Sequence, residues 1–213
     1  MNNVVVVDYG LGNLFSVHRS LEMCGASVEV SSDPKIIASA PKVVLPGVGA
    51  FSNAMEELSK LRLINVLRNL ADEGTPFLGI CLGMQLLMEV SEEFGNHEGL
   101  GIVPGQVIHI PKVSKQKTPL KVPHIGWNEL IPKEGKSFDE NSILSSINFG
   151  DAVYFVHSYM AVPKDSNHCI AHCKYGEHSI SAVIKNKNVT GCQFHPEKSG
   201  EVGLKILKEF CQS

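Results

Sequence analysis

The stretch Pro76-Phe77-Leu78-Gly79-Ile80-Cys81-Leu82-Gly83-Met84-Gln85 decides the fold, because an apolar, strand-like segment runs through a glycine-bracketed turn into a helix-like one, Met84–Glu89. Gly-x-Cys-x-Gly in this position is the thiol version of the nucleophile elbow, in which small neighbours allow a sharp turn that exposes a strained reactive residue. The turn places Cys81 at a helix N-terminus, where unpaired N–H groups and the macrodipole favour thiolate over thiol. A cysteine after a buried strand is often only a small core residue. The bracketing glycines favour a nucleophile.

A base and an orienting group for this thiol stand near the other end of the chain, in Gly191-Cys192-Gln193-Phe194-His195-Pro196-Glu197-Lys198-Ser199. A residue before proline avoids the helical region, so we predict that His195 and Glu197 lie on one face of an extended segment. One imidazole nitrogen could then take the thiol proton while the carboxylate holds the other N–H. His-x-Glu alone is common on protein surfaces, and only its combination with the elbow indicates catalysis.

A third element is Val43-Val44-Leu45-Pro46-Gly47-Val48-Gly49-Ala50-Phe51, an apolar strand that enters a glycine-bracketed loop before the helix-like stretch 54–70. Such loops lie at the carboxyl ends of strands, where open α/β sheets bind ligands. An ordinary strand-to-helix turn would look the same. Beside a thiol nucleophile we favour an oxyanion hole, with one donor from the Val48 N–H and one from the Leu82 N–H.

The order of apolar runs predicts the fold class. Up to about residue 90, strand-like and helix-like patterns alternate, which indicates βαβ units and a parallel sheet. We expect strands at 4–7, 28–30, 43–45 and 77–80, and helices at 14–24, 36–40, 50–72 and 82–90. From Gly99 onward we expect strands and turns, with strands at 107–110, 153–156, 170–173, 180–185 and 190–194, a hairpin turn at 186–188 and a last helix at 201–211. Segments 112–121 and 134–141 are expected to be exposed loops. The sequence therefore predicts an α/β fold with an open, mostly parallel central sheet flanked by helices and an added antiparallel β region in the C-terminal half.

Composition limits the class of protein. With 213 residues, 43% of them hydrophobic and 19% charged, the chain suits a single globular domain over residues 1–213. A formal net charge of −3 with scattered lysines gives no electrostatic footprint for nucleic acid. The apolar N-terminal run is too short for a signal peptide or a membrane span, so we expect a cytoplasmic protein. The six cysteines are irregularly spaced and are expected to be free thiols. Cys169-x-x-x-Cys173 lacks a second ligand pair, so we expect no metal.

Several blocks together resemble the class I glutamine amidotransferases, which share a flavodoxin-like α/β fold. In order they are Pro46–Gly49, Gly79–Gln85, Pro123–Asn128, Tyr154–Tyr159 and Gln193–Ser199. The resemblance runs from Asp8-Tyr9-Gly10 to the C-terminal helix. Pro-Gly-Val-Gly and Pro-His-Ile-Gly-Trp-Asn resemble more narrowly the glutaminase subunits of imidazole glycerol phosphate synthases, since relatives that serve other synthases usually carry Pro-Gly-Gly in the oxyanion loop.

The resemblance implies a reaction and a partner. Cys81 would attack the side-chain amide of glutamine, His195 would protonate the leaving ammonia, and water would release glutamate from the thioester while Glu197 aligns the imidazole. The ammonia would pass through a tunnel to a (β/α)8-barrel cyclase, in a heterodimer that makes imidazole glycerol phosphate and aminoimidazole carboxamide ribotide in histidine biosynthesis. No cofactor is implied.

The resemblance also implies a glutamine pocket formed by Gly49, Leu82, Gln85, Glu93, Ser158 and Tyr159. Gln85 follows Cys81 by one helical turn, so its amide could reach a ligand above the elbow. A capping or solvated glutamine is the alternative. For Glu93, in Ser91-Glu92-Glu93, the alternative is a solvated acidic turn.

Partner contacts are implied for Asn13, Trp127 and Lys198. Trp127 is the only tryptophan, and a single large aromatic residue is often part of a core, although interfaces also favour it. Gly10-x-Gly12 lacks the third glycine and the acidic residue of a dinucleotide-binding loop.

Three other functions share these features. The same glutaminase chemistry could feed a different synthase, such as one that forms an amidino sugar. A stand-alone thiol hydrolase could act on γ-glutamyl compounds, although the Pro-His-Ile-Gly-Trp-Asn block argues against it. A catalytically silent binding subunit would not need Cys81, His195 and Glu197 together.

Overall fold

A computed structural model of the chain describes residues 3–113, 119–133, 137–138 and 140–213. The strands are β1 Asn3–Val7, β2 Ser27–Ser31, β3 Val43–Gly47, β4 Phe77–Cys81, β5 Met88–Ser91, β6 His97–Glu98, β7 Val103–His109, β8 His124–Glu129, β9 Ile131–Pro132, β10 Ala152–His157, β11 Tyr159–Pro163, β12 Cys169–Tyr175, β13 His178–Asn186 and β14 Val189–Cys192. The helices are α1 Leu14–Met23, α2 Pro34–Ala38, α3 Phe51–Lys60, α4 Ile64–Asp72, α5 Leu82–Leu86 and α6 Gly200–Gln212. Short 3₁₀ turns cover Ser166–His168 and Pro196–Lys198.

The central sheet has eight strands in the order β2-β1-β3-β4-β14-β13-β12-β9. The first five strands run parallel, and the last three pair antiparallel. Gly47, at the end of β3, pairs with Cys81 at the end of β4, and Cys192 at the end of β14 pairs with Ile80. The elbow and the segments that follow β3 and β14 therefore meet at one carboxyl edge of the sheet, where ligands bind in open α/β folds.

The side chains of β1 alternate between two apolar layers. Val4 and Val6 pack in the layer that includes residues of α1 and α6, whereas Val5 and Val7 pack in the layer that includes residues of α2, α3 and α4. All four side chains are at most 5% exposed. A strand that is apolar at every position is typical of a parallel sheet covered on both faces, and this architecture confirms the predicted fold class.

The predicted helix over 50–72 is wrong in one respect, because it is two helices. The chain leaves α3 through Arg62, which has a φ of 58°, and the Leu63 N–H donates to the Leu58 carbonyl at 2.8 Å. This is a Schellman ending with arginine in the left-handed position that glycine normally takes. Leu58 and Leu63 are both fully buried, so tertiary packing offsets the unfavourable conformation of Arg62.

The predicted helix over 82–90 is also wrong beyond its first turn. Helix α5 ends at Leu86, and the chain continues as β5, which pairs with β6 and β7. A short apolar run such as Leu86–Val90 fits a buried helix or a buried strand equally well, so only its pairing partners decided between them.

The second half is built from strands, as predicted. A four-stranded sheet, β11-β7-β5-β6, and the antiparallel pair β10-β8 accompany the central sheet. Asn186 pairs with Val189, which confirms the hairpin turn, and Lys187 takes a φ of 54° inside it. The two predicted exposed loops fall largely on 114–118, 134–136 and 139, outside the described residues. Within the described ranges, no helix is long and apolar enough to cross a bilayer.

Candidate active site

Cys81 sits in a strained conformation between β4 and α5, with φ 54° and ψ −109°. Backbone in such sparsely populated regions costs about 1–3 kcal/mol and persists only where its surroundings enforce it. The two bracketing glycines provide those surroundings. A Cβ on Gly83 would overlap the Leu45 carbonyl, and one on Gly79 would lie 2.7 Å from the Gly83 oxygen. Glycine is thus needed at positions 79 and 83 for close packing, whereas the strained backbone conformation is that of Cys81.

His195 and Glu197 form a buried pair. The His195 Nδ1 atom lies 2.8 Å from the Glu197 Oε1 atom, and the two side chains are 3% and 1% exposed. The prediction that both residues lie in an extended segment is wrong for Glu197, which belongs to the 3₁₀ turn Pro196–Lys198, whereas His195 itself is extended. The proline that excludes His195 from a helix also starts this turn. The turn brings the carboxylate back to the ring.

The other imidazole nitrogen faces the thiol. A carboxylate only accepts hydrogen bonds, so Nδ1 carries the proton shared with Glu197. Nε2 is buried and makes no hydrogen bond of good geometry within the described ranges, yet the ring lies close enough to Cys81 to interact with it. Burial lowers the pKa of His195, but the interactions with Cys81 and Glu197 outweigh it and raise the pKa to about 10. Catalytic hydrogen bonds are often loose before substrate binds.

The backbone of His195 is held by two residues that sequence reasoning missed. Its N–H donates to the Tyr154 carbonyl at 2.9 Å, and its carbonyl accepts from the Ser199 hydroxyl at 2.6 Å. That same hydroxyl accepts from the Tyr154 N–H at 3.0 Å. Ser199 is 1% exposed, and its hydroxyl links β10 to the backbone of His195. The only sign of this role in the sequence is that Ser199 stands four residues after His195.

A cleft of about 400 Å³ opens over the elbow. Its lining includes the predicted residues Val48, Gly49, Cys81, Leu82, Gln85, Glu93, Ser158, Tyr159 and His195, together with Pro123, Val156 and His157. Val48 is 41% exposed at the rim, and Gly49 has a φ of 105° that side chains rarely adopt. The cysteine is 7% exposed but forms part of this open wall, so a substrate can reach it. Among the described residues, no group of histidine, cysteine and acidic side chains could hold a metal ion.

Glu93 is a buried member of the cleft wall rather than a solvated turn residue. Its Oε2 atom accepts from the Phe51 N–H at 2.6 Å, and it is 9% exposed. The carboxylate thereby satisfies one of the free donors at the start of α3, directly after the glycine-bracketed loop. Glu93 therefore fixes the loop and adds negative charge to the cleft.

Gln85 and Gln193 form a buried amide pair behind the thiol. Gln85 Nε2 donates to the Tyr159 carbonyl and to Gln193 Oε1, both at 3.0 Å, and Gln193 Nε2 lies 3.8 Å from the Cys81 sulfur. Sequence reasoning placed Gln85 in the pocket but assigned nothing to Gln193. The only signal in the sequence was that Gln193 stands two residues before His195.

Two further imidazoles, those of His157 in the cleft lining and His124 at the start of β8, are buried. His157 Nδ1 lies 2.8 Å from the Tyr159 carbonyl, and its Nε2 lies 3.0 Å from His124 Nδ1. Burial lowers the pKa of His157 to about 3, although the hydrogen bond with the Tyr159 carbonyl opposes this shift. Burial likewise lowers the pKa of His124 to about 4. Both rings are therefore neutral at pH 7.

Tyr9 lies beneath the strand end that carries the glycine-bracketed loop. It is 2% exposed, and within the described part of the chain its hydroxyl has no hydrogen-bond partner. A Cβ on Gly47 would overlap that hydroxyl. Burial, and secondarily Cys81, raise the pKa of Tyr9 well above its usual value, so the phenol is neutral.

The three predicted partner contacts lie outside the cleft lining. Trp127 is 60% exposed on β8, which excludes the alternative of a core tryptophan, and it packs edge-on against Tyr154. Lys198 is exposed at the end of the turn that holds Glu197, and Asn13 is half-buried at the start of α1.

Comparison with known proteins agrees with this geometry. The family model described as glutamine amidotransferase class-I matches residues 5–212. The chain is 49% identical over 213 residues to imidazole glycerol phosphate synthase subunit HisH 1 of Legionella pneumophila (strain Lens), covering 100% of both chains. It is 49% identical over 207 residues to subunit HisH of Aquifex aeolicus (strain VF5), covering 97% of this chain and 94% of that one.

Solved structures show the same fold at low sequence identity. A crystal structure of a glutamine amidotransferase aligns with a TM-score of 0.71 at 15% identity, covering 98% of this chain and 99% of that one. The glutaminase domain of Trypanosoma brucei CTPS with bound acivicin aligns with a TM-score of 0.63 at 16% identity, covering 99% of this chain and 94% of that one. By its sequence over nearly the whole length, the chain belongs to the class I glutamine amidotransferase family.

Proposed function

We propose that the chain hydrolyses glutamine to glutamate and ammonia, and delivers the ammonia to a cyclase partner that makes imidazole glycerol phosphate in histidine biosynthesis. One observation carries the chemistry. A strained cysteine forms the wall of an open cleft and interacts with an imidazole whose other nitrogen is held by a buried carboxylate. The full-length similarity to HisH subunits supports the pathway.

The first half-reaction is an acyl transfer. The Cys81 sulfur attacks the side-chain carbonyl carbon of glutamine, and the His195 imidazolium gives its Nε2 proton to the leaving nitrogen, so that ammonia departs and a γ-glutamyl thioester remains. In the second half-reaction, His195 takes a proton from water, the hydroxide attacks the thioester, and glutamate and the thiol are released. Glu197 keeps Nδ1 protonated throughout, which leaves Nε2 free for both proton transfers.

The oxyanion of each tetrahedral intermediate needs donors beside Cys81. Leu82 and Val48 both line the cleft and follow, respectively, the nucleophile and the end of β3. We assign their backbone N–H groups to the oxyanion hole. Gly49, Gln85, Glu93, Ser158 and Tyr159 surround the same space and are proposed to hold the substrate. The carboxylate of Glu93 suits the α-ammonium group of glutamine.

The partner is proposed to be a (β/α)8-barrel cyclase that docks on the exposed face near Asn13, Trp127 and Lys198. An exposed tryptophan on a strand is the type of residue that anchors an interface. The whole chain, residues 1–213, is proposed to act as one glutaminase domain in the cytoplasm, in a heterodimer without a cofactor.

The test is to co-express the chain with candidate cyclases and measure synthesis with glutamine and with ammonium salt. We expect the purified complex to use both nitrogen sources, and the Cys81→Ala complex to use only ammonium. Cys81→Ala is a matched control because it removes the nucleophile without adding bulk at the elbow. If the chain instead supplies glutamine-derived ammonia to a partner whose product is not an imidazole, the result would support the amidino-sugar alternative. Glutaminase activity in the Cys81→Ala complex would contradict the mechanism.

A further inference from the structure

Gln193 is a fully buried polar side chain whose amide nitrogen lies near the proposed nucleophile. It is 0% exposed and does not line the cleft, so it cannot touch a substrate there. Its Nε2 atom lies 3.8 Å from the Cys81 sulfur, within the longer range of hydrogen bonds to sulfur. A buried carboxamide is stable only when its donors and acceptor are satisfied, so its orientation can be worked out from its neighbours.

That orientation is fixed by a backbone carbonyl. The Tyr159 oxygen can only accept, so the end of Gln85 that lies 3.0 Å from it must be the NH₂ group. The same NH₂ lies 3.0 Å from Gln193, whose facing atom must therefore be its oxygen. The NH₂ group of Gln193 is then left on the side of the sulfur. An inverted amide at either glutamine would set two donors or two acceptors against each other.

The Tyr159 carbonyl is fixed in turn by the two buried histidines. It accepts from His157 Nδ1, so His157 Nε2 has no proton and accepts from His124 Nδ1 at 3.0 Å. His124 Nε2 then accepts from Asn128 Nδ2 at 3.3 Å. The Asn128 amide is itself fixed, since Nδ2 donates to the Lys174 carbonyl at 2.8 Å and Oδ1 accepts from the Glu129 N–H at 2.9 Å. These hydrogen bonds form one continuous series from β8 to the thiol.

We propose that Gln193 is a positioning residue for the nucleophile, and that its amide N–H holds the Cys81 sulfur in the thiolate form beside His195. The assignment rests on the proposed role of Cys81 as the attacking sulfur. A donor that cannot rotate favours an anion, since a hydrogen bond to a charged acceptor is about twice as strong as a neutral one. His195 gives its proton away during each turnover, whereas Gln193 keeps its N–H throughout. The sulfur therefore has one fixed donor both before it attacks and when it leaves the thioester.

The experiment measures the alkylation of Cys81 by iodoacetamide across the pH range, resolved from the other five cysteines by peptide mass spectrometry. Gln193→Met keeps the length of the side chain and removes the donor, while Gln193→Glu keeps its shape and places a carboxylate beside the sulfur. Gln106→Met makes the same replacement at an exposed position on β7 and serves as the control. Alkylation requires neither glutamine nor a partner, so this result stands apart from the success or failure of the proposed function.

We expect Gln193→Met to slow Cys81 alkylation at pH 7 by about tenfold or more and to move the midpoint of the profile to higher pH, because a hydrogen bond to a charged group is lost. Gln193→Glu should move the midpoint further, and Gln106→Met should match the parent chain. In the active complex, kcat for glutamine should fall while KM stays within about twofold, because Gln193 lies outside the cleft lining. A profile that is unchanged in folded Gln193→Met would overturn the proposal.

A measurement on the unsubstituted chain covers the case in which these variants fail to fold. The side-chain amide resonance of Gln193 should shift with pH at the same midpoint as the alkylation of Cys81. It should also shift when the sulfur is alkylated. An amide resonance that responds to neither event would show that the amide does not sense the sulfur, and the assignment would be wrong.

Discussion

The Nδ1 atom of His195 lies 2.8 Å from the Oε1 atom of Glu197, although only one residue separates them in the chain. The contact is made by the 3₁₀ turn that starts at Pro196, whereas an extended segment would hold the two residues about 7 Å apart on one face of the strand. Both side chains are buried, so the charge on the ring is stabilised by this carboxylate with little competition from water. The tautomer of His195, the proposed base, is thus determined by backbone geometry.

Replacing Glu197 with glutamine should remove that control. The amide no longer stabilises the imidazolium, and we expect kcat for glutamine hydrolysis to fall by about 10²–10⁴-fold with little change in KM. A steady-state glutaminase assay of the complex measures this loss. The pKa of His195 should also drop, which NMR titration of its ring protons would detect. Full activity in Glu197→Gln would show that the carboxylate has no part in orienting the base.

The substitution Gly47→Ala tests the close contact between Gly47 and the Tyr9 hydroxyl. A Cβ there would overlap the tyrosine hydroxyl and lie 3.0 Å from Leu82 Cβ, so Gly47→Ala should lower the free energy of unfolding by about 1–3 kcal/mol. Tyr9→Phe alone should raise it by about 1 kcal/mol, since it removes a buried hydroxyl that lacks a partner within the described ranges. Urea unfolding measures both.

The double variant tests whether the two effects share a cause. In Tyr9→Phe, the closest atom to the new methyl group is missing, so Gly47→Ala should cost less there than in the parent chain. Equal costs in the two backgrounds would mean that the clash lies elsewhere, against α5.

Acid should destabilise the protein through its neutral histidines. Unfolded histidines bind a proton near pH 6.5, whereas the pKa values of His124 and His157 in the fold are about 4 and about 3. Between these values the unfolded chain binds more protons, so stability is lost as the pH falls from 6.5. Urea midpoints at pH 7 and pH 5 measure the loss. In His124→Phe one of these groups no longer titrates, and the midpoint should change less with pH. An equal change in both chains would assign the acid sensitivity to other groups.

Truncating Trp127 should separate folding from partner binding. The side chain is 60% exposed, so Trp127→Ala should change the free energy of unfolding by no more than about 0.5 kcal/mol. If it anchors the cyclase, the Kd of the complex should rise by about 30-fold, the equivalent of about 2 kcal/mol. Titration calorimetry measures the Kd. The control is Phe149→Ala, which removes an aromatic side chain that is 81% exposed and outside the proposed contacts. Equal effects of the two substitutions would remove Trp127 from the interface.

The sequence by itself determined the fold class and the chemical groups of the candidate site. Two of the signals are local. The apolar run of β1 indicates a strand buried on both faces, and the glycines around Cys81 indicate a turn too tight for larger side chains. The hairpin at Lys187 was also predictable, because its turn residues are neighbours in the sequence. Helix boundaries were predicted less well. The break at Arg62 lacks the usual glycine, and the end of α5 depends on the pairing of β5 with β7, a separate strand further along the chain.

Only the tertiary structure decided how the polar groups are paired. Gln193, His124, His157 and Ser199 come from separate elements, and nothing in their spacing states which donor meets which acceptor. Hydrogen bonds are directional and short in range, so they depend on where whole strands come to lie, whereas hydrophobic periodicity follows from each segment alone. The proposed nucleophile could therefore be predicted from ten consecutive residues, but the series of donors that surrounds it required the assembled sheet.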